Sequence, residues 1–369
     1  MGIGRFVYTP ILPMMHTQAG LGSQFGSTLA TVNYFGYFIG ALTGILMPAL
    51  VGSALCMRIG LTLVVVTIAQ MGFTENHAEW IALRLIAGVA SALVFVIVVT
   101  TLLALVGQHA QKLVGWAFGG VGAGIALSGA IVLVIRDTST WRVAWWASAV
   151  LALVLTSLAW SLHPERANSL TTTQGRGDAP PIGRWFRALL LSYSLEAIGY
   201  IIAGTFLVAA INQESPDWVA SSAWVLVGLA ALPAATVWAS LGRRWSRPTL
   251  LVSALLIQTV GIALPALVSG VATALISAVL FGATFLGISL IVLAIGAHLQ
   301  FPRAVASLTV GYSVGQILGP LIATPMLRHG YHLALLVGAF FVFAAALAAA
   351  FLRLRFPHRV GTIVESSFQ

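Results

Sequence analysis

Twelve long apolar runs leave this chain few ways to fold. They fall at about 2–15, 28–52, 59–73, 80–106, 113–135, 143–162, 187–211, 219–240, 248–268, 271–296, 304–326 and 332–352. Bilayer hydrocarbon is about 30 Å thick, and a helix needs roughly 20 apolar residues to cross it. Only helices and closed barrels satisfy every backbone polar group in lipid, and no run alternates as a barrel strand does. The runs therefore predict an all-α polytopic membrane protein of twelve spans. Composition agrees: charged residues make up 7% of 369 positions, against about 25% in a soluble domain.

The net charge of +9 does not point to nucleic acid. The charges sit singly or in short clusters between apolar runs, with no basic stripe. The single Cys56 excludes an intrachain disulfide and a thiolate metal cage. All eight histidines fall in loops or at span ends, so no histidine pair is placed to hold a metal inside the membrane. The glycine-rich stretch 119–124 lies within a span rather than after a strand, which excludes a nucleotide fingerprint. No paired carboxylates or Ser/His/Asp set can be assembled. The expectation is a chain without enzymatic activity, cofactor or metal.

The polar stretch 163–185, with Thr171, Thr172, Thr173, Gly175, Gly177, Pro180 and Pro181, reads as a flexible linker. It divides a six-span half, 1–162, from a second, 186–369. If the N-terminus faces the cytoplasm, 13 Lys and Arg lie in cytoplasmic breaks and only Arg136, Arg142 and Arg328 opposite. The positive-inside rule then places both termini in the cytoplasm of a bacterial inner-membrane protein. The first span has about 15 residues before His16, some 22 Å of helix; either the natural chain extends beyond Met1, the favoured reading, or neighbouring helices support a short span.

The halves repeat. Gly4 to Leu12 aligns with Gly199 to Leu207, Gly88 with Gly282, and Gly120, Gly124 and Leu127 with Gly311, Gly315 and Leu318. The offsets are 195, 194 and 191. The glycine rows at 115, 119, 120, 124 and at 311, 315, 319 read as surfaces that slide and bend, with Pro320 adding a kink.

Several strings resemble a known family. They are Gly2 to Pro13, Asn33 to Tyr37 with Gly40 and Ala41, Glu196 to Ile201 with Thr205, Phe206 and Leu207, and Gly315 to Pro320. Together they resemble the major facilitator superfamily over the whole chain, and within it the YbfB/YjiJ-type branch. The fourth-span pattern of that superfamily is present as Arg84 and Gly88. The resemblance implies a twelve-helix fold of two pseudo-symmetric six-helix halves, with substrate held between them and rocking exposing it to either side. The loop from Gly52 to Gly60 departs from the superfamily pattern, keeping Arg58 and no acid. Gly242, Arg243 and Arg244 in the second half also lack the acid.

Ionisable groups inside a bilayer are costly and mark candidate sites. Glu196, about nine residues into the seventh span, shares a face with Tyr193 and Tyr200. It is either a coupling-proton site or a hydrogen-bonded packing group. Arg5, with Thr9 one turn on, is either an anion-binding group facing Glu196 or part of a buried ion pair. Snorkelling to the surface is a third reading for Arg5. Arg84 sits one turn inside Trp80, read as an interfacial aromatic. It either snorkels or, as the resemblance implies, serves a proton relay. If the fold holds, Asn33, Tyr34, Tyr312 and Gln316 would line the cavity, the last two sharing a face.

The resulting expectation is a proton-coupled secondary transporter, with antiport or efflux favoured. Its partners are a small-molecule substrate, protons and the lipid bilayer, with no nucleic acid, and its state is a monomer. A uniporter or importer without proton coupling is the alternative. A membrane-embedded enzyme or a scaffold is more remote, since acid or histidine clusters and soluble domains are lacking.

Overall fold

The computed structural model describes residues 1–106, 111–162, 183–299, 301, 304–353 and 356. Among the described residues, twelve main helices follow in order, besides a short helical turn Pro48–Val51. The first, α1, runs as Gly2–Phe6 and Tyr8–Ala19; α2 is Ser23–Leu46, α3 Ala54–Met71, α4 His77–Val106, α5 Gln111–Ile135 and α6 Trp141–Ala159. The second half has α7 Gly183–Glu214, α8 Asp217–Leu241, α9 Arg247–Leu267, α10 Val271–His298, α11 Ala304–Ala323 with a 3-10 turn Thr324–His329, and α12 His332–Arg353. Eleven of them, α2 to α12, are long and apolar enough to cross a membrane. The expected linker lies mostly outside the described residues, and helix already begins at Gly183.

The sequence explains the short, broken first span. Pro10 has no N–H, so the Phe6 carbonyl loses its helical donor, and the helix is interrupted at Val7. Val7 keeps φ −63° and ψ −24°, so the two segments run on in one direction. Gly20, at φ +63°, ends α1 in the left-handed conformation that favours glycine.

Pseudo-symmetry is visible in the contacts. Gly88 of α4 packs against the backbone of Asn33 on α2, and Gly282 of α10 against that of Val227 on α8. Both members of the second pair lie 194 positions beyond the first. Gly124 of α5 meets Gly2 and Ile3, and Gly315 of α11 meets Ala197 and Ile198. The repeat thus returns as equivalent helix crossings, each closed by a glycine that lets backbones touch.

The glycine rows are not equivalent in use. Gly115, Gly119 and Gly122 press on Thr236 and Leu232 of α8, across the seam between the halves. Gly311, Gly315 and Gly319 instead pack on α7 of their own half. The expectation that both rows slide during a rocking motion is corrected for the second, which is an internal surface of one half. Gly120 has open space where a side chain would stand, with no atom within 4 Å, whereas its equivalent Gly311 faces Leu190 and Ser194.

Hydrogen bonds join the halves at mid-depth and at the end away from the N-terminus. Ser27 on α2 donates to the Pro320 carbonyl at 2.9 Å and lies 2.8 Å from the Thr324 hydroxyl. The Tyr331 hydroxyl, before α12, is 2.8 Å from His16 Nε2 and 3.2 Å from the Ser23 hydroxyl. His16 Nδ1 faces the Leu21 carbonyl, which assigns it the proton and leaves Nε2 to accept from Tyr331. Burial raises the Tyr331 pKa, so the phenol remains a donor. Arg136 adds an ion pair to Asp217 at 2.8 Å and a hydrogen bond to Ser221 at 3.2 Å. This far end is latched.

Candidate functional site

Between the halves lies a cavity of about 450 Å³. It reaches from Arg5 and Gln316, near mid-depth, to Ile45 at the end of α2, Thr100 late in α4 and Val305 at the start of α11. These positions mark the end where the N-terminus lies, opposite the latch. Most of the wall is apolar, as in ligand pockets generally, with Phe6, Phe95, Phe118 and Phe285 among the aromatic contributors.

Arg5 is the charged side chain in that wall. It is 3% exposed. Its guanidinium carbon lies 4.4 Å from the centre of the Tyr37 ring, 4.9 Å from Tyr34 and 5.2 Å from Phe6. Ring faces attract a cation most strongly where water is excluded. Nε and Nη2 have no hydrogen-bond partner. The helix repeat places Tyr200 at the position equivalent to Arg5, and it too lines the cavity.

Opposite stands a row of tyrosines. Tyr193 and Tyr312 stack with ring centres 4.2 Å apart, and Tyr200 lies 6.0 Å from Tyr312 and 5.6 Å from Phe285. Ser313 and Gln316 follow Tyr312 on α11. Both line the cavity, and the Ser313 hydroxyl and both amide atoms of Gln316 are buried without a partner.

Glu196 does not line the cavity. It is fully buried behind Tyr193, Tyr200 and Tyr312, and both carboxyl oxygens lack a hydrogen-bond partner. The Gln258 carboxamide of α9 lies beside it, short of normal hydrogen-bond geometry. The reading in which Arg5 faces Glu196 is therefore corrected. No ion pair joins them among the described residues, because Glu196 is turned toward α9 while Arg5 faces the aromatic cage.

Other expected residues take different places. Tyr34 holds Thr205 through their hydroxyls at 2.9 Å, and Thr9 donates to the Gly204 carbonyl at 2.7 Å. Both are bonds between the halves. Asn33 donates to the Arg84 carbonyl at 2.8 Å and does not line the cavity. Arg84 neither snorkels nor lines it: the side chain is 2% exposed, with its guanidinium 4.6 Å from the centre of the Tyr8 ring. Trp80 is buried within the protein, its ring edge-on to Trp141 and its Nε1 donating to the Met71 carbonyl at 3.3 Å. Sequence reasoning missed Tyr37, Ser313 and Gln258 as site residues. Gln258 carried a signal, a lone amide deep in an apolar span, and Ser313 lies one turn before Gln316.

Two six-helix halves with a cavity between them, joined at the far end by hydrogen bonds and an ion pair, have the architecture of a secondary transporter. The family model described as "Uncharacterised MFS-type transporter YbfB" matches residues 1–350, and the chain belongs to that family. No curated protein is significantly similar in sequence. Among solved structures, the xylose transporter XylE from E. coli, in a partially occluded inward open conformation, matches with a TM-score of 0.75. It is 15% identical, with 98% of this chain and 96% of that one covered. This likeness shows the fold.

Proposed function

We propose that the chain is a proton-coupled carrier working by alternating access, in which Glu196 takes up and releases the coupling proton. The observation that carries this is the complete burial of Glu196 without an ion pair. An uncompensated buried carboxylate is costly, and binding a proton removes that cost. Movement of the surrounding helices alters this balance, which ties the proton to the conformation. Antiport with export is the favoured direction, since a cavity walled by aromatic rings suits solutes with an apolar body, which enter cells through the bilayer in their uncharged form. Arg5, Tyr200, Tyr312 and Gln316 are assigned to substrate. Tyr34, Thr9, Asn33 and Arg84 support the crossing of the helices. The excess of Lys and Arg at the N-terminal end orients that end to the cytoplasm of a bacterial inner membrane.

One observation favours a second reading, a uniporter or importer without proton coupling: the tyrosines separate Glu196 from the cavity. Proteoliposomes holding a pH-sensitive dye, challenged with a panel of small molecules, decide between the two. Substrate-driven proton flux that disappears in Glu196→Gln is expected. Full flux in that variant would overturn the coupling role.

A further inference from the structure

The carrier reading leaves the substrate open, but the cavity wall constrains it. Among the described residues, Arg5 is the charged side chain lining the cavity, and no acidic side chain lines it. A buried guanidinium without a counter-ion sits where an anion would relieve it. Its Nε and Nη2, the side-on pair of donors that grips a carboxylate as a fork, are both without a partner. Ser313 and Gln316, also without partners, add a hydroxyl and an amide on the facing helix. Elsewhere the wall offers the hydroxyls of Thr100, Ser289, Thr309 and four tyrosines, spread over a mostly apolar surface, which suits a solute built on a ring rather than one hydroxylated all round. It is rich in flat rings: Phe6, Tyr37, Tyr193, Tyr200, Phe285 and Tyr312. One cationic side chain lines the cavity among the described residues, which matches one negative charge, and a second would stay uncompensated in an apolar chamber.

We propose that the cavity binds a small aromatic monocarboxylate, its carboxylate held by Arg5, Ser313 and Gln316 and its ring laid on the tyrosine row. The proposal rests on the carrier reading only for transport; the binding it asserts can be measured without turnover. A cavity of about 450 Å³ holds a benzoate-sized ring with room for substituents. Planarity matters on both sides, since the guanidinium binds carboxylates in-plane and stacked rings favour a flat partner.

The test uses purified protein in detergent with benzoate, benzamide, benzylammonium and cyclohexanecarboxylate as probes, read by equilibrium binding and thermal shift. Benzoate is expected to bind most tightly. Loss of the charge in Arg5→Gln should weaken benzoate about thirtyfold or more, while Arg5→Lys should retain part of the affinity. If Arg5→Gln does not fold, Ser313→Ala and Gln316→Leu carry the test, each weakening benzoate with little effect on benzamide. Benzamide or benzylammonium binding as tightly as benzoate would overturn the assignment of charge. Equal binding of cyclohexanecarboxylate would overturn the aromatic part, and failure of benzoate to bind at all would overturn both. Counterflow of labelled benzoate in proteoliposomes separates the two claims. Binding without counterflow sinks the carrier reading and leaves the ligand class standing. Counterflow of another solute by protein that does not bind benzoate does the reverse.

Discussion

The Thr9 hydroxyl donates to the carbonyl oxygen of Gly204 across 2.7 Å, and the two residues are 195 positions apart, the same offset that aligns the first and seventh spans. Equivalent residues of a two-fold repeat can touch only at the axis that relates the halves. Thr9 and Gly204 therefore mark that axis at mid-depth, above a cavity on which Arg5 and Tyr200, the equivalent pair one turn earlier, both open.

A hydroxyl at that crossing is expected to contribute modestly to stability. Thr9→Val keeps the shape and removes the donor, and should cost about 0.5–1.5 kcal/mol, whereas Thr9→Ser should cost less than Thr9→Val. Thermal unfolding in detergent measures both. Identical losses would show that the methyl group, not the bond, matters there.

The latch formed by Tyr331, His16 and Ser23 should hold the far end closed. Tyr331→Phe removes the hydroxyl while keeping the ring against Phe206. The far-end-open population should rise, because a state loses weight in proportion to the contacts it alone makes. Spin labels at the exposed positions Asn76 and Val268, with Cys56 replaced, report the far-end separation. A longer-distance component is expected in Tyr331→Phe, and an unchanged distribution would remove the latch from the account.

Nearby glycines on α5 should respond in opposite ways. A side chain at Gly122 would meet the Leu232 nitrogen at 2.6 Å and the Gly228 carbonyl at 2.8 Å, both backbone atoms of α8. Gly122→Ala should therefore cost about 1–3 kcal/mol. Gly120 faces open space, so Gly120→Ala should be neutral or stabilising by up to about 1 kcal/mol. Unfolding midpoints of the two purified variants, side by side, check the contrast.

The spans and their duplication were legible because apolar length and a constant offset survive without knowledge of packing. The offset even returned as matched crossings, Gly88 on Asn33 and Gly282 on Val227. Rotation of a helix about its own axis was not legible. Glu196 and Tyr200 share a face at i and i+4, yet Tyr200 opens on the cavity and Glu196 turns to Gln258. A face about 100° wide can border two neighbours, and hydropathy does not say which side each residue meets. The inward packing of Trp80 on Trp141 was not legible for a related reason, since position near a span end does not say which way an indole turns. Tyr37 was passed over because one tyrosine among apolar residues resembles packing until a guanidinium lies 4.4 Å from its ring centre.

The stacked pair Tyr193 and Tyr312 belongs to α7 and α11, two helices of the same half. Rings 4.2 Å apart leave no room for solvent between them. The helices that carry them meet along the glycine-lined seam at Gly311, Gly315 and Gly319, inside one half. Rigid rocking of the halves leaves that seam undisturbed, so any contact of Glu196 with the cavity depends on a shift of α7 against α11 within that half.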